Sequence, residues 1–309
     1  MIGRVYSPHM ESSSVGQLGS RRTIGLARQL VTHHPLGVVG MGVIGFMILV
    51  AILAPVIAPH DPYVTDVAHR LEAPSLEHPF GTDHIGRDVL SRVIYGARIS
   101  ILVGLGAVAL GAVVGTAFGV VAGYKGRYTE TLVMRTIDIL MAFPTILLAI
   151  VIVAFFGSSL VNVVIAVAVT RVPAFTRLAH AMTLSMKETE LVEAARALGA
   201  SDFRIGLRHI LPNMLAPVVV LATLEVSVAI LIEASLGFLG LSVQPPIPTW
   251  GSIIQDGRGV LDRAFWVANS AGACVFLLVI AVNVFGDALR DFFDPRSSGG
   301  RRLGRIETA

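Results

Sequence analysis

Residues 190–212 read ELVEAARALGASDFRIGLRHILP, a polar stretch set between two long apolar runs. Its apolar residues recur with helical spacing. Leu191, Ala195 and Leu198 share one stripe, and Phe203, Leu207, Ile210 and Leu211 form a second at i, i+4, i+7 and i+8. Between the stripes, Gly199 offers the left-handed backbone that ends helices. Ser201 is placed to cap a second helix, with Asp202 in its first turn. The stretch therefore predicts two amphipathic helices joined by a sharp turn. Two roles fit that pattern: a helix pair lying on lipid headgroups, or a docking element for another protein.

The surroundings of this stretch are those of a membrane protein. Of 309 residues, 54% are hydrophobic and only 15% charged, where a soluble domain carries about 25% charged residues. The mean hydropathy is +0.73. A net charge of +3 gives no electrostatic footprint for nucleic acid, and lipid is the partner that this composition implies. The single cysteine, Cys274, lies in an apolar run and reads as a small apolar residue with no internal disulfide partner.

About 20 apolar residues cross a bilayer core. Residues 36–58, LGVVGMGVIGFMILVAILAPVIA, hold no charge and start too far from the terminus for a cleaved signal peptide. Further spans are expected at 99–123, 137–156, 160–181, 214–240 and 266–286, the fourth interrupted by Arg171 and Arg177. With no strand alternation long enough for a barrel, the backbone must be satisfied within helices. The fold class expected is all-α, a polytopic membrane bundle of six transmembrane helices.

Lys and Arg set the orientation. With six spans, 18 of them fall on the side of the termini and of residues 182–213, and 6 on the other. Both termini and the polar stretch are therefore expected in the cytoplasm. A five-span chain would put the basic tail outside.

Within the second span, Gly111, Gly115, Gly119 and Gly123 stand four apart. Such a ladder lets another helix approach closely, within the subunit or from a partner. Glu225 and Glu233 lie in the fifth span. Ionisable groups there line a path, pair with other helices, or sit near an outer end. Asp138, three residues after Arg135, suggests a local ion pair, and Pro144 and Pro173 suggest kinks. His60, His69, His78 and His84 fall in the loop after the first span at spacings that match no metal site, so no metal ligand is assigned. No nucleophile and base face each other in the spans, so no catalytic residue is assigned either.

The motif EAARALG at 193–199, followed by HILP at 209–212, resembles the EAA loop of ABC importer permeases, E-A-A-x3-G-x9-I-x-L-P. Glu193, Ala194, Ala195, Gly199, Leu211 and Pro212 stand at its positions, while His209 replaces the usual Ile, with Ile210 beside it. The segments HPFGTDHIGRDVLSRVIYGARISIL (78–102), MRTIDILMAFP (134–144), EASLGFLGLSVQPPIPTWG (233–251) and GDALRDFFDPR (286–296) resemble the C-type permease of dipeptide/oligopeptide/nickel importers. The similarity runs over roughly residues 36–296.

The resemblance implies a type I importer permease of the bacterial cytoplasmic membrane. Residues 1–35 would be a cytoplasmic tail, 36–98 the first span and external loop, 99–290 the core permease domain, and 291–309 a cytoplasmic tail. It implies partners: a homologous second permease completing the path, two cytoplasmic ATP-binding subunits, and an extracytoplasmic substrate-binding protein. Glu193, Ala194, Ala195, Arg196, Gly199, Leu211 and Pro212 would couple to the ATPases. ATP and Mg would sit on those subunits, with no cofactor on this chain. Neither of its two lysines, Lys125 and Lys187, falls in a G-x-x-x-x-G-K-[ST] loop. The substrates implied are di- and oligopeptides, with nickel or glutathione as alternatives. An ion-driven secondary transporter, the competitor from another class, would show an internal repeat, and none is visible.

Overall fold

The computed structural model describes residues 35–293. The regions 1–34 and 294–309, which hold nearly all of the two expected tails, lie outside the described residues.

The first span is α1, Pro35–Ile57. The loop after α1 holds one 3₁₀ turn at Val67–His69. Asp88 then caps α2, Val89–Lys125, by accepting from the Ser91 amide. At 37 residues, α2 is about 55 Å long and reaches well beyond a hydrocarbon core of about 30 Å.

The run expected as one third span is two helices, α3 (Arg127–Ala142) and α4 (Thr145–Phe156), bent by 96°. The cause is local. Phe143, between them, is extended at φ −86°, ψ 136°, as the residue before a proline prefers to be. The next residue is Pro144, which opens α4. The upstream helix is amphipathic, carrying Glu130, Arg135 and Asp138. With 12 residues, α4 is about 18 Å long and too short to cross alone. Among the described residues five helices are long and apolar enough to cross a membrane, and the count reaches six when the bent pair is taken as one span. At Pro173, by contrast, α5 (Leu160–Met186) continues without a break.

The segment 190–212 forms α6 (Glu190–Ala197), α7 (Asp202–Ile205) and a π turn over Gly206–Ile210. It then runs straight into α8, Leu211–Phe238. A short helix, α9 (Trp250–Arg258), opens with a Thr249/Ser252 capping box, and α10 is Phe265–Phe293. Among the described residues there is one isolated bridge, Thr82 with Asp88, and no strand.

The closest packing is between α2 and α5, and the glycine ladder makes it. A Cβ on Gly115 would lie 2.6 Å from the Val172 carbonyl oxygen, and one on Gly119 2.5 Å from that of Thr176. Gly111 and Gly123 face Arg171 and Thr183 in the same way. The ladder is thus occupied within the subunit. The main core joins α2, α5, α8, α9 and α10 around Val103, Ala107, Phe175, Ile230 and Trp250. A separate small core of Ala179, Val192, Ile205, Ile210 and Met214 holds 190–212 to the end of α5.

Candidate functional site

The turn after α6 is a Schellman motif. The Ala200 amide donates to the Ala195 carbonyl and the Gly199 amide to that of Arg196, both at 3.0 Å, with Gly199 at φ +79°. This satisfies carbonyls that a helix end leaves open. Glu190 and Glu193 stand in the first turn of α6 and Arg196 in the last, the polarity that the helix dipole favours by about 0.3–1 kcal/mol per charge. Ser201 precedes α7, but its side chain makes no capping bond, so the start of that helix rests on packing.

The apolar residues of the segment split into two sets. Val192, Ile205 and Ile210 are fully buried against Ala179 and Met214. The stripe Leu191 and Leu198 faces outward instead, 56% and 88% exposed, and Phe203 follows at 77%. The subunit anchors this segment by one face and leaves a second apolar face uncovered. Glu193, Ala194, Arg196 and Gly199 are exposed, Ala195 is half-buried, and Leu211 and Pro212 lie where the π turn enters α8.

Two further ties hold the segment to the end of α2. Arg196 donates to the Tyr124 hydroxyl at 3.4 Å, with its guanidinium over the ring. Lys187 Nζ donates to the Gly123 carbonyl at 3.3 Å. The π turn carries the helix across Pro212, which has no N–H to give, and a single i→i+5 turn of this kind keeps a helix continuous. The amphipathic segment and the fifth span are therefore one stiff element from Asp202 to Phe238.

That element carries both acids of the fifth span. Glu225 accepts from Arg171 of α5 at 2.7 Å, and Arg171 also donates to Thr170 Oγ1 at 3.1 Å. Arginine, read from sequence as an interruption of the fourth span, is the partner of this carboxylate. Glu233, the other possible path residue, has a fully buried side chain that accepts from Ser242 Oγ at 3.0 Å. Asp138 pairs with Arg177 of α5 at 2.9 Å in place of the local Arg135, because the bend at Pro144 lays α3 alongside α5.

At the other end of the bundle, Asp83, Arg87, Arg92 and Asp256 meet at α9. Asp83 accepts from Arg87 and Arg92, both at 2.6 Å, and both arginines also reach Asp256 at 2.9 Å. Burial pushes the Asp256 carboxyl above its ordinary range, and the Arg87 guanidinium pulls it back. This network pins the loop between α1 and α2 to α9. The i,i+4 pair of Asp83 and Arg87 was the only sequence signal for it. The Thr249-x-x-Ser252 box was the signal for α9 itself. In the same loop His60 and His78 come together beside Asp88, although 18 residues separate them.

Known proteins agree with this architecture. Residues 115–299 match the family described as binding-protein-dependent transport system inner membrane component. Residues 26–74 match the N-terminal TM domain of oligopeptide transport permease C. The dipeptide transport system permease protein DppC of Alkalihalophilus pseudofirmus is 46% identical over 85% of this chain and 86% of its own. The di/tripeptide permease DppC of Pseudomonas aeruginosa is 42% identical over 83% and 88%. The glutathione transport permease GsiD of Escherichia coli is 46% identical over 82% and 84%. The fold matches a chain of the inward-facing MetNI methionine ABC transporter at a TM-score of 0.54 and 21% identity, covering 65% of this chain and 96% of that one. On these matches the chain belongs to the family of binding-protein-dependent transport system inner membrane components, as a multi-pass membrane permease of the oligopeptide permease C type.

Proposed function

We propose that the chain is the permease subunit of an ATP-driven importer for di- and oligopeptides. It forms half of the translocation path with a homologous second permease. Residues 190–212 dock it to two cytoplasmic ATP-binding subunits, which hold ATP and Mg and carry out hydrolysis. An extracytoplasmic binding protein delivers the substrate. Both termini lie in the cytoplasm, as the bias of 18 basic residues to 6 favours.

One observation carries the docking role. The segment 190–212 is fixed by buried Val192, Ile205 and Ile210 yet leaves Leu191, Leu198 and Phe203 uncovered. Exposed apolar patches of this kind mark protein contacts. Because α7 continues into α8, a tilt imposed on the docked segment reaches the bilayer interior without a joint to absorb it. There it meets the Arg171–Glu225 pair. A zwitterionic peptide carries one charge of each sign, and a path residue of each sign can receive its two ends in turn. Glu225, with Arg171, is our candidate for the path.

The peptide substrate is supported by the dipeptide and di/tripeptide permeases among the relatives. Glutathione is the second reading, because the glutathione permease is equally identical. The test is uptake by liposomes holding this chain with its partner permease, ATPases and binding protein. Dipeptide uptake that needs ATP and all partners, and resists excess glutathione, is expected. Uptake driven by an ion gradient without ATP would refute the reading.

A further inference from the structure

We propose that His60, His78 and Asp88 form a binding site for one divalent d-block cation, of the zinc, nickel or cobalt class, in the external loop. This is independent of the transport reading. The three side chains come from three places: the loop just after α1, the middle of the external loop, and the N-cap of α2. Their ligand atoms all lie within 4.8 Å of one another. His78 Nδ1 is 2.9 Å from Asp88 Oδ1, and His60 Nδ1 is 3.7 Å from that same oxygen. Ligands on a tetrahedral ion with bonds of about 2.0–2.1 Å stand about 3.3 Å apart, between those two separations. Only small side-chain adjustments are needed to place an ion among them.

The His60 nitrogen is the observation that asks for a ligand. It is buried from water and has no hydrogen-bond partner, a state that native polar atoms rarely tolerate. The His78–Asp88 contact is explained without metal, as a hydrogen bond. The nearby His60 lone pair is not explained that way.

The supports of the three side chains are also those of a metal site. Asp88 Oδ2 accepts from the Ser91 amide at 2.7 Å, which leaves Oδ1 directed at the histidines. The Ser91 hydroxyl accepts from the His60 amide at 3.0 Å, and the Ser75 hydroxyl accepts from the His78 amide at 3.0 Å. Such outer contacts orient first ligands. The two rings sit 4.7 Å apart between centroids. Two imidazoles and one carboxylate select borderline ions over calcium or magnesium, which take oxygen ligands.

The neighbouring group of Asp83, His84 and Asp256 is a poor rival. Arg87 and Arg92 already neutralise both of its carboxylates. A bound ion at His60, His78 and Asp88 would instead tie the exit of α1 to the start of α2 across the external loop.

The test uses the purified full-length chain in lipid nanodiscs, stripped with chelator and titrated with Co(II). Four-coordinate Co(II) gives strong visible bands that loosely held octahedral Co(II) lacks. One equivalent with those bands, displaced by Zn(II) and not by Mg(II), is expected for the native chain and for His84→Ala. His60→Gln and His78→Ala should lose the bands and weaken Zn(II) binding at least about tenfold. Circular dichroism on the same samples checks that the variants are folded. His60→Gln is the milder change because its side chain is over a third exposed. Native chain and folded His60→Gln with the same spectrum and the same Zn(II) affinity would overturn the proposal.

Discussion

Gly199 concentrates the demand on a single backbone position. Its φ is +79°, and a Cβ built on it would touch nothing within 4 Å. A side chain there meets only backbone strain, about 1–2 kcal/mol for an L residue in the left-handed region. Gly199→Val is therefore expected to insert and fold, with its defect confined to the angle between α6 and α7. Arg171 and Glu225 are different. Both are largely buried, and removing one partner strands the other charge, at about 3–5 kcal/mol. Glu225→Ala should lower the unfolding temperature measurably in detergent, whereas Arg171→Met combined with Glu225→Leu should recover much of that stability. If Glu225→Ala alone is as stable as the native chain, the pair does not hold α5 to α8. Costly charges at 171 and 225 were legible in the sequence, but their 54-residue separation hid that they answer each other.

At the scale of elements, the ladder of Gly111 to Gly123 was readable because its period is local to one helix. Its partner was not, since any helix with a smooth face fits a row of glycines. In the structure α5 occupies it, so Gly119→Leu should force α2 and α5 apart. The Cβ alone would lie 2.5 Å from the Thr176 carbonyl oxygen, so the expected outcome is loss of folded protein on size-exclusion chromatography. The external loop is held by charge. Asp83 is fully buried between two arginines, and Asp83→Asn keeps its shape while removing the charge that they face. Proteolysis of the loop between α1 and α2 should then become markedly faster, and an unchanged rate would show that packing, not the network, fixes the loop. A kink at Pro144 was expected, but neither its size nor α9 was evident beforehand. That helix is too short to register as a span, and Pro144 alone does not say whether a helix bends or breaks.

At the scale of the whole molecule, six apolar runs and the segment 190–212 were legible because bilayer thickness and helical period both write themselves directly into sequence. What was not legible is how the parts connect: that the second amphipathic helix has no break from the fifth span, and which apolar stripe faces inward. The stripe of Leu191 and Leu198 is the uncovered one, while Val192, one position away, is the anchor. The charge bias of 18 to 6 sets the orientation we expect. A reporter after Ala309 or near Ser201 should be cytoplasmic and one near Asp83 external. An external C-terminus would remove one span from the bundle.

The central claim is that residues 190–212 transmit the work of a soluble ATPase to the fifth span. The most direct measurement is ATP hydrolysis and peptide uptake by the assembled, reconstituted complex, compared on the same preparations for the native chain, Glu193→Lys, Leu198→Asp and Gly199→Val. The account predicts normal insertion of all three variants. Uptake should fall at least about tenfold, the loss expected for about 1.4 kcal/mol of coupling. Hydrolysis should no longer respond to substrate-loaded binding protein. Normal uptake and normal stimulation in all three, at equal expression, would contradict it and reduce the segment to a helix pair resting on the membrane surface.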